Sequence, residues 1–159
     1  MPSTPLRLPA LDPADVKAIE GSSYPDRFKP AVAGRAKRRL GDALGLKHFG
    51  VNVTTIKPGA RSALRHWHTR EDEFIYLLSG ELVLVTEAGE QVLRAGMCAG
   101  FPAGSTDGHH LINRTGSDAV YLEVGDRDPE DGVTYPDDDL VAIATPQGRR
   151  FTRKDGTAY

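Results

Sequence analysis

Two histidines that flank a tryptophan, His66 and His68, are the first residues of the sequence that could carry chemistry. In a β-strand, residues two apart project from the same face, so both imidazoles would point the same way. Such a pair can bind a divalent metal ion, which then needs further ligands from elsewhere in the chain. Three acids follow at once, Glu71, Asp72 and Glu73. The spacing therefore predicts part of a metal site and raises the question of which acid completes it.

Glu73 is the acid that the local pattern favours. It opens the stretch EFIYLL, where alternation places it with Ile75 and Leu77 on one face, which we expect to be the interior. A buried carboxylate is costly without a partner such as a cation. Glu71 and Asp72 fit a solvated turn instead.

A second pair of histidines, His109 and His110, could supply a third imidazole from a different strand. They stand in the stretch GHHLIN, directly after the turn-like FPAGSTDG. Consecutive residues of a strand point to opposite faces, so only one of the two can face the interior. Alternation alone leaves the choice between them open.

The elements that must position these residues are short strands. From His48 onward, runs rich in Val, Ile, Phe, Tyr and Thr are separated by Gly, Pro, Asn and Asp, which predicts an all-β sandwich or barrel. We expect residues 1–44 to form an N-terminal arm, with a short helix between Asp12 and Gly21. Residues 45–125 would form the barrel, and residues 126–159 an acidic loop and a C-terminal tail that pack on it.

Two charged segments are expected to be solvated. The first is the cluster Arg35, Lys37, Arg38 and Arg39 in the arm, which has few apolar neighbours. A contact with an anion or with a partner is the alternative for this cluster. The second is the acidic loop DRDPEDGVTYPDDDL, whose carboxylates would repel one another if they packed together. Pairing of this loop with the cationic tail GRRFTRKDGTAY is a further expectation.

Composition argues against several classes of protein. A length of 159 residues with 39% hydrophobic residues suits one domain with its own core. A net charge of -2 gives no basic field for nucleic acid. The lone cysteine, Cys98, is expected in the core, and the absence of an internal disulfide or a secretory signal favours the cytoplasm. No apolar run reaches the roughly 18 residues of a membrane span.

Two ordered motifs resemble those of the cupin superfamily. The first runs Gly59, six residues, His66-x-His68, four residues, Glu73, six residues, Gly80, and the second runs Gly96, five residues, Pro102-x-Gly104, then a histidine, three residues and Asn113. The chain is similar to the small, single-domain bacterial cupins described as sugar-phosphate isomerase-like. The resemblance implies a double-stranded β-helix, or jelly-roll, barrel, often homodimeric, that holds a metal ion inside.

The resemblance also implies which residues bind that ion. His66, His68 and Glu73 match the ligands of the first motif, and the spacing to the asparagine selects His109 from the second. His110 stays as the alternative, because the stretch before the histidine is longer than is usual in the family. The ion would be one divalent transition metal, zinc, iron, manganese or nickel, because these donors do not select one of them.

The function that we expect is that of a metal-dependent enzyme acting on a sugar, a sugar phosphate or a carboxylate by Lewis-acid, isomerase-type chemistry. Tyr121 and Glu123, which share one face of AVYLEVG, are the candidate catalytic residues, with Arg61 and Arg114 as candidate anion contacts. A metal-dependent dioxygenase and a non-catalytic binding or sensing cupin are the alternatives. We also expect a homodimer in which arms or edge strands cross.

Overall fold

Thirteen strands carry most of the chain's regular structure in a computed structural model that describes residues 6–159. They are β1 (Ile19–Glu20), β2 (Arg35–Arg39), β3 (Phe49–Ile56), β4 (Trp67–His68), β5 (Glu73–Ser79), β6 (Glu81–Thr86), β7 (Gly89–Arg94), β8 (Cys98–Phe101), β9 (His110–Ile112), β10 (Ala119–Asp126), β11 (Gly132–Tyr135), β12 (Leu140–Thr145) and β13 (Gly148–Thr152). Two 3₁₀ helices (Pro13–Asp15 and Asp26–Val32) and one short α-helix, α1 (Leu40–Ala43), complete the elements. The prediction of an all-β chain is confirmed.

The strands form two packed layers. One layer is a six-stranded antiparallel sheet in the order β1-β2-β3-β10-β5-β8. A three-stranded sheet, β7-β6-β9, and a four-stranded sheet, β13-β12-β11-β4, supply the other strands. The main core includes Ile56, Leu77 and Tyr121 from the large sheet and Leu84 and Leu111 from the three-stranded sheet. Side chains of each strand alternate between this interior and the outer face of its sheet.

A second apolar cluster joins the N-terminal segment to the C-terminal strands. Tyr24, Phe28 and Val32 are buried against residues that include Val133 and Leu140. The segment before β2 therefore packs on its own chain. Of the expected arm, residues 1–5 lie outside the described residues.

Two predictions about the N-terminal segment are wrong. The expected helix from Asp12 to Gly21 is only one 3₁₀ turn, Pro13–Asp15, although Asp12 caps it as predicted through a 2.8 Å bond from the Ala14 amide. Arg35–Arg39 is not a solvated cluster but strand β2, paired with β3. Strand alternation separates its charges, so that some face the protein interior and others face outward.

The expected acidic loop also contains regular structure. Strand β11 lies inside it, and Asp131 is fully buried rather than solvated. The expected pairing with the cationic tail is confirmed for Arg149, whose Nη1 lies 3.3 Å from Asp131 Oδ2. Cys98, expected in the core, is exposed, because its side chain lies on the outer face of β8 beside Tyr76. None of the helices in residues 6–159 has the length and apolar character needed to cross a bilayer.

Candidate metal centre

Four side chains converge on one point inside the barrel. His68 lies in β4, Glu73 begins β5, and His66 forms an isolated bridge with His109, just before β9. The Nε2 atoms of His66, His68 and His109 lie 3.3, 3.4 and 2.8 Å from Glu73 Oε2. The structure thus brings together the four residues that the sequence singled out as ligands.

The hydrogen bonds of the imidazoles fix which ring nitrogen carries hydrogen. His66 Nδ1 lies 2.8 Å from the Leu64 carbonyl oxygen, and His68 Nδ1 lies 2.7 Å from Asp131 Oδ2. These oxygens only accept hydrogen bonds, so Nδ1 is the donor in both rings and Nε2 is the ring nitrogen left to bind a metal ion. Both Nε2 atoms face Glu73.

Glu73 fits a metal ligand better than it fits an ion pair. Its Oε2 is buried and accepts no well-aligned hydrogen bond from residues 6–159, although His109 Nε2 is only 2.8 Å away. Burial lowers the pKa of His109, which favours its neutral, metal-binding form. Three imidazole nitrogens and a carboxylate that meet at one buried point can all be satisfied by one bound cation. The donor set therefore suits a divalent transition metal ion.

His110 lies apart from this cluster. It is the first residue of β9 and pairs with Val85 of β6, so alternation directs it away from its neighbour His109. It is buried, and its Nδ1 has no hydrogen-bond partner in the described part of the chain. Burial and the nearby Arg61 lower the pKa of His110 to about 4, so the ring is neutral at physiological pH. The geometry favours His109 as the ligand.

Asp131 positions the cluster and was missed from the sequence. Besides the bond from His68, its Oδ1 accepts a 3.0 Å hydrogen bond from the Arg70 amide. Arg149 from β13 spans Asp131 and Glu71, with its Nη2 3.2 Å from Glu71 Oε2. Glu71 is therefore not in a solvated turn as expected. In the sequence, Asp131 is one of seven carboxylates in its loop, and no local signal distinguishes it.

Replacing Asp131 by asparagine is expected to weaken metal binding about 10- to 100-fold, as loss of a carboxylate behind a ligating histidine typically does. Asparagine keeps the shape but removes the charge that orients and polarises His68. Competition with a chromophoric chelator measures the affinity. Glu130→Gln, which alters an exposed pair with Arg70 on the same loop, is the matched control. Equal affinities in the two variants would contradict this role.

One cavity of about 840 Å³ contains both the cluster and the predicted catalytic residues. Glu123 accepts hydrogen bonds from Lys37 Nζ at 2.7 Å, Asn52 Nδ2 at 3.0 Å and the Tyr121 hydroxyl at 3.2 Å. Glu123 pairs with Ile75, two residues from Glu73, so the two carboxylates are diagonal neighbours on the same face.

The surroundings of Glu123 set its protonation state. Burial alone would raise the pKa of Glu123, but the Lys37 ammonium group and its other donors outweigh burial and hold the pKa below its ordinary value. Burial, together with the charge of Glu123, raises the pKa of Tyr121 well above its ordinary value. The cavity thus holds an ionised carboxylate beside a protonated phenol. Lys37 and Asn52 were missed, although period-two alternation along β2 and β3 would have placed them on this face.

Comparison with known proteins agrees with the fold. The family model for the cupin domain matches residues 52–125. A sugar phosphate isomerase of the cupin superfamily from Silicibacter pomeroyi shares 45% sequence identity with the chain, over 95% of this chain and 96% of that one, with a TM-score of 0.91. A protein from Acidithiobacillus ferrooxidans, provisionally described as a sugar phosphate isomerase, shares 27% identity over 92% and 90% of the two chains, with a TM-score of 0.78.

More distant similarity concerns the fold alone. The polyketide cyclase RemF from Streptomyces resistomycificus shares 22% identity over 74% of this chain and 78% of its own, with a TM-score of 0.62. The comparison with curated protein sequences gave no match. The predicted jelly-roll barrel is confirmed by the Silicibacter structure, which covers nearly the whole chain. The chain belongs to the cupin superfamily.

Proposed function

We propose that the protein is a metal-dependent isomerase of a small carbonyl compound, with sugar phosphates as the leading substrate class. The observation that carries the proposal is that two groups of residues line the same cavity. One is the ligand cluster, made up of His66, His68, Glu73 and His109. The other is the Glu123 cluster, made up of Glu123, Tyr121, Lys37 and Asn52. One provides a binding point for an oxygen, and the other provides a group that can move a proton. The Silicibacter protein, a sugar phosphate isomerase 45% identical to this chain, supports the same reaction class.

His66, His68, Glu73 and His109 would hold one divalent ion, and zinc, iron, manganese and nickel all accept such donors. When bound, the ion would supply Lewis acidity that polarises a carbonyl group. Two of the rings are held in place by hydrogen bonds from Nδ1, that of His66 to the Leu64 carbonyl oxygen and that of His68 to Asp131. Phe101 stacks on His109 with ring centroids 3.5 Å apart, which restricts the orientation of this third imidazole.

Glu123 is the residue that we assign to proton transfer between carbon atoms. As an ionised carboxylate, it would remove a proton from the carbon next to the carbonyl group and return it to the former carbonyl carbon. The hydroxyl proton of the substrate must move in the opposite direction, and the protonated Tyr121 hydroxyl, 3.2 Å from Glu123, is placed to assist. Lys37 keeps Glu123 ionised.

A deuterium experiment tests the reaction class. Metal-loaded protein is incubated in D₂O with aldose and ketose phosphates, and proton NMR follows the positions next to the carbonyl group. The expected result is interconversion with solvent deuterium entering at the carbon that gains hydrogen. Oxygen consumption without isomerisation would favour the dioxygenase alternative. Tight binding of one compound without turnover would favour a binding or sensing module.

We further propose that the protein is a homodimer, formed through the outer face of the six-stranded sheet. Neighbouring strands place apolar residues in two rows across this face, Val53-Leu122-Tyr76-Cys98 and Val51-Val124-Phe74-Gly100. Phe49, Phe74, Tyr76 and Leu78 are between 39% and 47% exposed. The apolar rows, bordered by Arg38 beside Val53 and by Asp126 beside Phe49, suit a self-complementary contact with a second copy. The N-terminal segment packs on its own chain, so arm exchange is not needed.

Replacing Tyr76 by glutamate is expected to convert the dimer to a monomer, because two negative charges would meet across a twofold axis in an apolar contact. Sedimentation equilibrium at micromolar concentration measures the molecular mass. Val92→Glu is the control, since Val92 is an equally exposed apolar residue on β7, outside the face. A monomeric wild-type protein would contradict the proposed dimer.

A further inference from the structure

Four arginines line the cavity, and one of them, Arg149, is already paired with Asp131 and Glu71. Strand β2 directs Arg35, Lys37 and Arg39 into the cavity, and Arg127, just after β10, lines it as well. Lys37 is occupied by Glu123, and the Arg35 guanidinium donates to two backbone carbonyls. Arg39 and Arg127 therefore remain to be explained.

These two arginines share a single carboxylate. Arg127 pairs directly with Asp42 and donates a 3.0 Å hydrogen bond from Nη1 to the Leu46 carbonyl oxygen. Arg39 Nη1 lies 3.9 Å from Asp42 Oδ2, beyond hydrogen-bond distance. Within residues 6–159, the Arg39 guanidinium makes no side-chain hydrogen bond, and its side chain is 58% exposed. The group of three carries one net positive charge with unused N–H donors. Such a group suits an anion.

The distance to the ligand cluster is set by the sheet. Gly125 of β10 pairs with Gly50 of β3 on one side and with Glu73 of β5 on the other. Gly50 and Glu73 are therefore two strand spacings apart, about 9–10 Å. The Arg127 side chain lies over Gly50. If Gly50 carried a Cβ atom, that atom would be 3.6 Å from Arg127 Nε. Both glycines line the cavity. A strip of bare backbone thus connects the arginines to Glu73 and leaves room for a ligand.

We propose that Arg39 and Arg127 form a subsite for a phosphate group at the end of the substrate remote from its carbonyl. This inference rests on the proposed function, which places the carbonyl end at the histidine cluster. Guanidinium groups bind phosphate through paired, charge-assisted hydrogen bonds. Gly50, over which the Arg127 side chain lies, is about 9–10 Å from Glu73 across the sheet. This backbone spacing suits a monosaccharide phosphorylated on its terminal carbon. We expected Arg61 and Arg114 as anion contacts, but neither of them lines the cavity. Arg114 is paired with Glu90 at the surface.

Calorimetric titration with inorganic phosphate tests the subsite in the metal-loaded, full-length protein. Arg39→Gln and Arg127→Gln are each expected to weaken phosphate binding at least about tenfold, the effect of losing one hydrogen bond to a charged group. Arg94→Gln is the control, because Arg94 is similarly exposed, at 62%, and also paired with one carboxylate, but lies outside the cavity. Removing the metal ion with a chelator is expected to leave phosphate binding unchanged.

Two results would overturn the subsite. In the first, removing the metal ion abolishes phosphate binding while Arg39→Gln retains it, which would place the anion at the histidine cluster. In the second, the wild-type protein shows no saturable phosphate binding. Failure of the proposed isomerase function would look different, because phosphate would still bind in an arginine-dependent way while no deuterium entered any sugar phosphate.

Discussion

The His109→Ala variant is expected to lose its metal ion. Its metal affinity should fall by more than about 100-fold, because removing a residue that only orients a ligand already costs up to that much. His109 Nε2 approaches Glu73 Oε2 more closely than either of the other imidazoles does, at 2.8 Å. Its removal takes one neutral donor from the cluster, and alanine cannot replace it. Metal per folded chain, measured by elemental analysis together with circular dichroism, gives the result.

His110→Ala is the control for this change, because the two histidines are adjacent and equally buried. It is expected to keep the metal and to lower the free energy of unfolding instead, since it leaves a space under β9. The reverse ranking of metal content would show that His110 is the ligand and that the longer turn before it has shifted the strand by one residue.

Glu123→Gln is expected to reduce kcat by about 10²- to 10⁴-fold, the contribution of a general base. Metal content should not change, because Glu123 contacts Lys37, Asn52 and Tyr121 rather than the ligands. Turnover of the sugar phosphate identified by the NMR assay is the measurement. Glu81→Gln, which alters an exposed pair with Arg94, serves as control.

A double variant separates catalysis from stability at this position. Glu123→Gln leaves the largely buried Lys37 without its carboxylate, which destabilises the protein. Adding Lys37→Met removes that unpaired charge, so stability should recover while kcat stays low. Recovery of kcat in the double variant would show that Glu123 has only a structural role.

The ligand cluster could be predicted from sequence because its signals are local and periodic. His66 and His68 are two apart, and Glu73 begins an alternating strand, so each faces inward for a reason visible in the sequence. Alternation also separated His109 from His110, although it could not say which of them faces inward. That choice depended on strand register, which the pairing of His66 with His109 resolves in the structure.

The residues that were missed depend on contacts between segments distant in sequence. Lys37 is 86 residues from Glu123, and Asp131 is 63 residues from His68. Their local sequences are charged and resemble solvated segments, since burial of each charge is compensated only by its distant partner. Cys98 shows the converse, because an apolar strand with one uncovered face exposes residues that composition would place in the core.

Elemental analysis of the wild-type protein, purified without added metal, tests the central claim that the histidines and Glu73 form a metal centre. The expected result is close to one transition metal ion per chain, removable only by strong chelators. Metal well below one equivalent, with no saturable uptake of zinc, iron, manganese or nickel on titration, would contradict the claim.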